Sequence, residues 1–507
     1  MNKAYGTVYL VGAGPGDPGL ITVKGRECIE RADVVVYDYL AAPSHLAHAK
    51  KGAEIIYVGK KGGDHTLSQD GINALLVEKA KTGATVTRLK GGDPFIFGRG
   101  GEEAEVLIAE GINWEVIPGV TSAIAAPAYA GIPLTHRKFT ATLSLVTGHE
   151  DPDKENSNIN WDAISKSGTL VFFMGVRNLP NIVEKLCACG KPAETPVALV
   201  RWGTTTRQET VSGTLATIVE EVKKANLKSP SIIVVGEVVS LRDTMKWFEN
   251  RPLFGKRVVI TRARKQASGL TSKLMGLGAE CLEAPTIEIE PIEGSEAVNT
   301  ALANLKEYDW VVFTSVNGVI TFFDDLFAKG LDARALGGLK TACIGPSTAA
   351  ELKKYGIGTD VLPDSYVAES VVDAFKGQAI KGANILLPRA EEARPVIPVE
   401  LTKMGATVNE VAVYRTAIDA TSTEKVAEAL TNHEVDMVTF TSSSTVKNFV
   451  SMIPNGDLSL MENVTVACIG PITAETAKEL GLTPHIVADT FTIDGLVDAI
   501  VGTVEEK

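Results

Sequence analysis

Residues 8–19 read VYLVGAGPGDPG. An apolar strand, Thr7–Val11, runs directly into a glycine-rich turn, which is how a strand–loop–helix unit of an α/β sheet begins. Gly14, Gly16 and Gly19 satisfy the spacing GxGxxG. A second strand, Val34–Val36, ends at Asp38, about where a dinucleotide-binding acid would hold a ribose. A nicotinamide-dependent enzyme is therefore the first function to weigh, and two prolines oppose it. A pyrophosphate cradle uses backbone N–H groups at a helix start. Pro15 and Pro18 have none, and both stiffen a loop that would have to wrap a phosphate.

Two further loops extend the pattern. Residues 88–103, RLKGGDPFIFGRGGEE, follow a predicted strand at Ala84–Leu89. Gly91 and Gly92 allow close backbone approach, Asp93 offers a carboxylate to an amine or hydroxyl, and Phe95–Phe97 supply an apolar wall. Two glycine doublets around an acid and two aromatics exceed what a plain turn needs, so a ligand loop is expected. After the strand Trp114–Ile117, Pro118–Ser122 lead into a small-residue helix, Ala123–Ala130. Thr121 and Ser122 can cap that helix or hold a ligand. His136, Arg137 and Lys138 follow as a cationic cluster.

Composition sets outer limits. The chain has 507 residues, enough for about three domains at ordinary size. Apolar residues are 45% and charged residues 22%, as in folded globular proteins. The net charge is −12, a poor match for general nucleic-acid or anionic-membrane binding. No leader-like apolar region and no membrane-length apolar run is present. Six cysteines, none in a CxxC pair, suit reduced thiols in a cytoplasmic protein better than a zinc site or a disulfide scaffold. The charge is uneven. Residues 1–250 hold 27 Lys/Arg and 28 Asp/Glu, whereas residues 251–507 hold 23 and 34. The shift falls at Leu241–Gly255, a junction whose Trp247, Phe248, Leu253 and Phe254 should pack rather than swing.

The second half is an internal duplication. Arg262 falls on Arg389 and Gly278 on Gly405, and DWVVFTS at 309–315 matches DMVTFTS at 436–442, all at an offset of 127. ACIGP recurs identically at 342–346 and 467–471, at an offset of 125. Three blocks in one order signal two related α/β lobes of parallel sheet, not a solenoid. Periodicity alone suggests a tandem pair near 255–380 and 381–507. Ligands of such sheets sit beyond the strand ends, where FTS and IGPxTA lie in both copies. Their hydroxyls serve equally as helix N-caps.

VGAGPGDPGLITVKG, VVYDYL, VGKKGGDHTLSQ, TRLKGGDPFIFGRGGEE, PGVTSAIAAPAYAGIPLTHR, TGHE, LVFFMG and WGTTTRQ occur in this order. Together they resemble the uroporphyrinogen-III C-methyltransferase family of tetrapyrrole methylases, over residues 1 to about 245. Residues from about 255 to 507 resemble uroporphyrinogen-III synthase through the repeat, TRAR, FTSVNG, the doubled IGPxTA and the tyrosine of VAVYRT. The resemblance implies an α/β fold: a two-subdomain tetrapyrrole methylase followed by a duplicated two-lobed parallel-sheet unit. Implied limits are 1–115 and 116–240 for the methylase subdomains, and 241–255 for the junction. One synthase lobe takes 256–290 with 415–507, and the other takes 291–414.

It also implies S-adenosylmethionine as methyl donor in a cleft between subdomains. Its binding positions fall on Pro15, Gly91, Gly92, Asp93, Ile96, Thr121, Ser122, Met174 and Gly203. An acid/base pair falls on Asp38 and Lys60. The acceptor, uroporphyrinogen, carries eight carboxylates, and Lys60, Lys61, Arg88, Lys90, Arg99, His136, Arg137 and Lys138 are cations beside the ligand loops. Two methylations give precorrin-2, on the way to sirohaem or cobalamin. One departure from the family pattern is Ser68 before Gln69, where relatives carry proline. The synthase half implies ring closure of hydroxymethylbilane with inversion of the last pyrrole and no cofactor. Tyr414 matches that family's functional tyrosine. Arg262, Arg389, Ser315, Thr348, Ser442 and Thr473 are candidate substrate contacts, as is Arg415. No metal and no partner macromolecule is implied beyond a homodimer through the methylase half. The alternative for the second half is a non-catalytic two-lobed tetrapyrrole-binding or sensor module.

Overall fold

The computed structural model describes residues 5–59, 67–148, 158–261, 264–285, 288–292, 294–364, 368–417 and 420–505. They divide into two compact units, the first built chiefly on residues up to Lys256 and the second chiefly on Arg257–Thr503.

The first unit holds two five-stranded sheets. β1 (Thr7–Gly12), β2 (Val34–Tyr37), β3 (Glu54–Tyr57), β4 (Val86–Lys90) and β5 (Asn113–Ile117) lie in the order β3-β2-β4-β1-β5, with parallel pairing throughout. The inner strands β1 and β2 are mostly apolar and buried because both faces are covered. Val8 and Leu10 pack with Leu76 and Leu107 on one face, and Val11 packs with Cys28 and Ile29 on the other. The order has a functional consequence. β4, β1 and β5 are neighbours, so the three glycine-rich loops leave one carboxyl edge side by side. Asp38 leaves the same edge, one residue past β2.

β6 (Leu143–Thr147), β7 (Thr169–Phe173), β8 (Pro196–Arg201), β9 (Glu209–Thr214) and β10 (Ser231–Val235) form the second sheet, ordered β6-β7-β10-β8-β9. β6 and β7 are parallel, whereas β10 pairs antiparallel with β7 and β8, and β8 with β9. The β8–β9 pairing makes Trp202–Gln208 a tight connection. The helix Ser122–Tyr129 lays Ala123 and Ala126 on Val171, Ala198 and Val234. At the junction, Trp247 and Phe248 pack on Tyr129, with ring centroids 5.1 and 4.7 Å away. The segment is anchored there, as its aromatic content implied.

The second unit also has two sheets. Its strands are β11 (Arg257–Ile260), β12 (Glu280–Glu283), β13 (Glu288–Pro291), β14 (Trp310–Phe313), β15 (Lys340–Cys343), β16 (Asn384–Ala390), β17 (Thr407–Ala417), β18 (Met437–Phe440), β19 (Thr465–Cys468) and β20 (Pro484–Val487). They assemble as β12-β11-β18-β19-β20 and β13-β17-β16-β14-β15. The tandem arrangement fails, because each sheet takes its opening strands from one repeat and its remaining strands from the other. β17 runs 11 residues, first parallel to β16 and then antiparallel to β13. Because Glu288 pairs with Ala417, the inner sheet reaches a few residues past the expected limits of 291 and 414 at both ends. The duplication extends into the cores. Phe313 and Phe322 meet edge-to-face at 5.5 Å, and Phe440 and Phe449, 127 residues on, repeat the contact at 5.3 Å. Among the described residues, no helix is long and apolar enough to cross a membrane.

Candidate functional site

The three loops of the first sheet converge. Ala13 N–H donates to the Lys90 carbonyl at 2.7 Å, and Gly14 and Gly92 exchange N–H···O bonds of 3.2 and 2.7 Å. The approach is closer than a side chain permits. A Cβ on Gly119 would lie 2.3 Å from the Gly92 carbonyl oxygen and 2.7 Å from Gly12 Cα. Gly92 adopts φ +69°, where glycine alone is unstrained. Gly91 seats this loop on the one after β2, since a Cβ there would meet Leu40 Cβ at 2.5 Å. Asp93 does not present a free carboxylate, contrary to expectation. Its Oδ1 accepts from Phe95 N–H at 2.8 Å and its Oδ2 from Gly119 N–H at 2.9 Å, so it ties the β4 and β5 loops together.

The second sheet closes on this edge. Asp17 N–H donates to Thr204 Oγ1 at 3.0 Å, and Tyr129 O–H donates to Asp17 Oδ2 at 2.7 Å. Burial, together with that carboxylate, pushes the Tyr129 pKa well up, so the phenol keeps its proton. The loop holding Pro15 therefore docks on the turn holding Gly203, which itself has room only for glycine: a Cβ would lie 2.3 Å from Ala126 Cβ. Thr121 is buried and caps the helix that Ser122 begins. Phe97, Arg99, Met174, Trp202 and Thr204 all take left-handed backbone, with φ between 47° and 75°. Strained conformations of this kind gather at ligand sites; four of the five sit on the converging loops, and Met174 follows Phe173, whose ring meets Phe97 at 4.9 Å. Ile96, Phe97 and Met174 hold apolar side chains out to solvent there.

Asp38 is held from behind. Its Oδ2 accepts from Arg88 Nη2 at 2.9 Å, and its Oδ1 from Leu40 N–H at 3.1 Å. Arg88 and Lys90 were expected to meet substrate carboxylates. Instead both are buried, and both reach Glu103 Oε1, at 3.4 and 2.6 Å. Burial, and then the charge of Arg88, lowers the Lys90 pKa. Arg99 is exposed beside Glu102, and Arg137 is exposed. Lys60 lies outside the described residues.

In the second unit, Ser315 caps the helix Val316–Ala328 and shares a 3.0 Å hydrogen bond with the hydroxyl of buried Tyr414. Ser442, the repeat counterpart, sits in a capping box with Thr445. The neighbouring Ser443 accepts from Thr476 Oγ1 at 2.7 Å, which joins the helices that follow the FTS and IGP turns of that lobe. Thr348 and Thr473 are buried near their helix starts. Arg389 is not a free carboxylate partner. It is buried, with Nη1 on Glu410 at 2.8 Å and Nη2 on the Arg394 carbonyl at 2.7 Å. Arg415 pairs with Glu290 at 2.7 Å. Arg262 lies outside the described residues.

A family model described as tetrapyrrole (corrin/porphyrin) methylases matches residues 7–219, and one described as uroporphyrinogen-III synthase HemD matches residues 268–498. The porphyrin biosynthesis protein HemD of Ruminiclostridium josui is 39% identical over 497 residues, covering 98% of this chain and 98% of that protein. The chain belongs to the family that fuses a tetrapyrrole methylase to a uroporphyrinogen-III synthase. The methylase portion has nearer relatives. A uroporphyrinogen-III C-methyltransferase of Priestia megaterium is 56% identical over 236 residues, 46% of this chain and 99% of that protein. An S-adenosyl-L-methionine-dependent uroporphyrinogen III methyltransferase of Methanosarcina barkeri is 52% identical over 246 residues, 48% of this chain and 96% of that protein.

Two residues of this methylase–synthase fusion escaped sequence reasoning. Glu103 reads as an ordinary acid in a helix first turn. Its signal was Arg88 and Lys90, two apart on β4 and so on one face. His45 gave no signal. It is 1% exposed, its Nε2–H donates to the Ala13 carbonyl at 3.0 Å, and its Nδ1 has no partner among the described residues. Burial lowers its pKa from 6.5. The folded state therefore binds this proton less readily than the unfolded one, and stability falls as pH drops below about 6.5. His45→Gln should flatten that slope in thermal unfolding of the methylase unit between pH 7.5 and 5.5. An unchanged slope would assign it to other groups.

Proposed function

We propose that the second unit cyclises hydroxymethylbilane to uroporphyrinogen III, inverting the last ring, and that the first unit methylates that product twice to give precorrin-2. Collinearity with a fusion relative over nearly the whole of both chains carries the proposal. The first site fits S-adenosylmethionine. Gly12 and Gly119 pack backbone on backbone with the Gly92 carbonyl, which brings the three loops to one edge, and exposed Ile96 and Met174 offer an apolar wall to an adenosyl group. Pro15, Thr121, Ser122 and Gly203 lie on the loops that meet at this edge. When bound, the sulfonium supplies an electrophilic methyl group.

The chain's own residues orient and deprotonate. Transfer to a pyrrole carbon needs donor and acceptor held in line, a task for the docked loops. The alkylated ring must then lose a proton. Asp38 Oδ1 or Oδ2 accepts it, with Arg88 fixing the carboxylate's direction and Lys60 as the companion acid. In the second unit, the Tyr414 hydroxyl, steadied by Ser315, assists departure of the substrate hydroxyl. Ser442, Thr348 and Thr473 border the strand ends that hold the bilane. Association through the first unit and a cytoplasmic location belong to the same family resemblance.

Incubating the intact protein with hydroxymethylbilane and S-adenosylmethionine should yield precorrin-2. Release of uroporphyrinogen I alone would refute the synthase role. Asp38→Ala should stop the sequence at uroporphyrinogen III, with S-adenosylhomocysteine binding retained. A normal single-turnover rate in that variant would remove Asp38 from the chemistry.

A further inference from the structure

The turn that closes the methylase cleft carries a cation that none of these roles uses. Arg207 stacks its guanidinium on the Trp202 ring, 5.0 Å from the centroid. Trp202 meets Tyr39 edge-to-face at 5.7 Å and 67°. Tyr39 directly follows Asp38 and is 58% exposed. Arg207, Trp202 and Tyr39 thus form a column that starts in the second subdomain and ends beside the proposed base. Its foundation is fixed. Thr204 is bonded to Asp17, Thr205 lies against Gly16, and Trp202 itself is held at φ 47°.

The guanidinium is exposed, and among the described residues no carboxylate pairs with it. This sets it apart from Arg88, Arg201, Arg242, Arg389 and Arg415, each of which has an acidic partner. An arginine ordered by an aromatic face but left without an anion is prepared for one, because stacking occupies its π surface and leaves the in-plane N–H fork free.

We infer that Arg207 is a carboxylate-binding residue for the porphyrinogen, taking one acetate or propionate side chain and so setting how a ring edge meets Asp38. The inference rests on the proposed methylase reaction and deepens it. The cofactor also carries a carboxylate, so the experiment separates the two sources.

The intact protein is assayed for methylation of uroporphyrinogen III, and S-adenosylhomocysteine binding is followed by calorimetry. Loss of one charged hydrogen-bond pair from a partly exposed site should raise KM for uroporphyrinogen III about tenfold in Arg207→Gln. kcat should change less than KM, and the Kd for S-adenosylhomocysteine should stay within about twofold of wild type. Arg207→Lys should recover part of the loss, since it restores the charge without the planar fork. A wild-type KM in Arg207→Gln overturns the inference. A weakened S-adenosylhomocysteine Kd with unchanged KM also overturns it, by giving the cation to the cofactor. Failure of the wild-type protein to methylate uroporphyrinogen III would instead refute the reaction on which it rests.

Discussion

Gly119→Ala should abolish methylation while leaving ring closure by the second unit intact. The new methyl group would be placed 2.3 Å from the Gly92 carbonyl oxygen on the β4 loop and 2.7 Å from Gly12 Cα at the end of β1, both main-chain atoms. No side-chain rotation relieves such a contact, so one loop must move. The movement would break the Asp93–Gly119 hydrogen bond, and with it the tie between the β4 and β5 loops. Overpacking of this kind costs about 1–3 kcal/mol, and displacement of the loops that would hold the cofactor should weaken S-adenosylhomocysteine binding by about a hundredfold. Calorimetric titration measures it directly. Gly101→Ala is the control, because nothing lies within 4 Å of a Cβ there. Equal affinities for the two variants would show that loop convergence does not form the cofactor site.

Glu103→Ala carries the largest expected stability effect. One carboxylate oxygen serves both Lys90 and Arg88 in a site closed to water. Removing it leaves two buried cations with only Asp38 nearby, and breaking such a cluster destabilises by about 3–5 kcal/mol. The measurement follows the unfolding transition that S-adenosylhomocysteine shifts, which isolates the first unit from the second. The effect should depend on pH. Lys90 already has a lowered pKa, and the substitution lowers it further. The folded protein then binds fewer protons than the unfolded one between that pKa and the ordinary 10.5. The variant should therefore recover stability as pH rises through this window. A loss below about 1 kcal/mol would mean that water reaches the cluster. Asp38 should also lose its fixed orientation, since Arg88 would no longer be anchored from behind.

Much of this architecture could be read from residue order. The two prolines in GAGPGDPG argue against a dinucleotide cradle, and the loop they stiffen docks on Thr204. The doublet Gly91-Gly92 lies on a converging loop, because Gly91 approaches Leu40 too closely for a side chain and Gly92 takes φ +69°, whereas Gly101 of the second doublet faces open space. The charged residues were harder to place. Arg88 and Lys90 stand in the same dense motif as Arg99, yet two are buried and one is exposed. The difference comes from a helix acid packing over β4, which local sequence does not encode. Arg389 and Asp93 were assigned to ligands but are used by Glu410 and by loop amides. Polar groups near strand ends must be satisfied by protein before any remain for a substrate. The lobe limits shifted because β17 keeps hydrogen-bonding after its parallel partner ends, which depends on a distant strand, β13.

The exchanged strands of the second unit also govern its birth on the ribosome. Every strand of the inner sheet lies between residues 288 and 417, so that sheet is complete once this stretch has emerged. The outer sheet must wait. β11 pairs Val258 with Met437, so its first strands remain without their neighbour β18 while the whole inner lobe is made. Long sequence separation slows such pairing, and an apolar strand left open is prone to aggregate. The inner lobe folds as an insertion within the outer one, and damage to the outer lobe, whichever repeat it strikes, falls on the last and most exposed step of assembly.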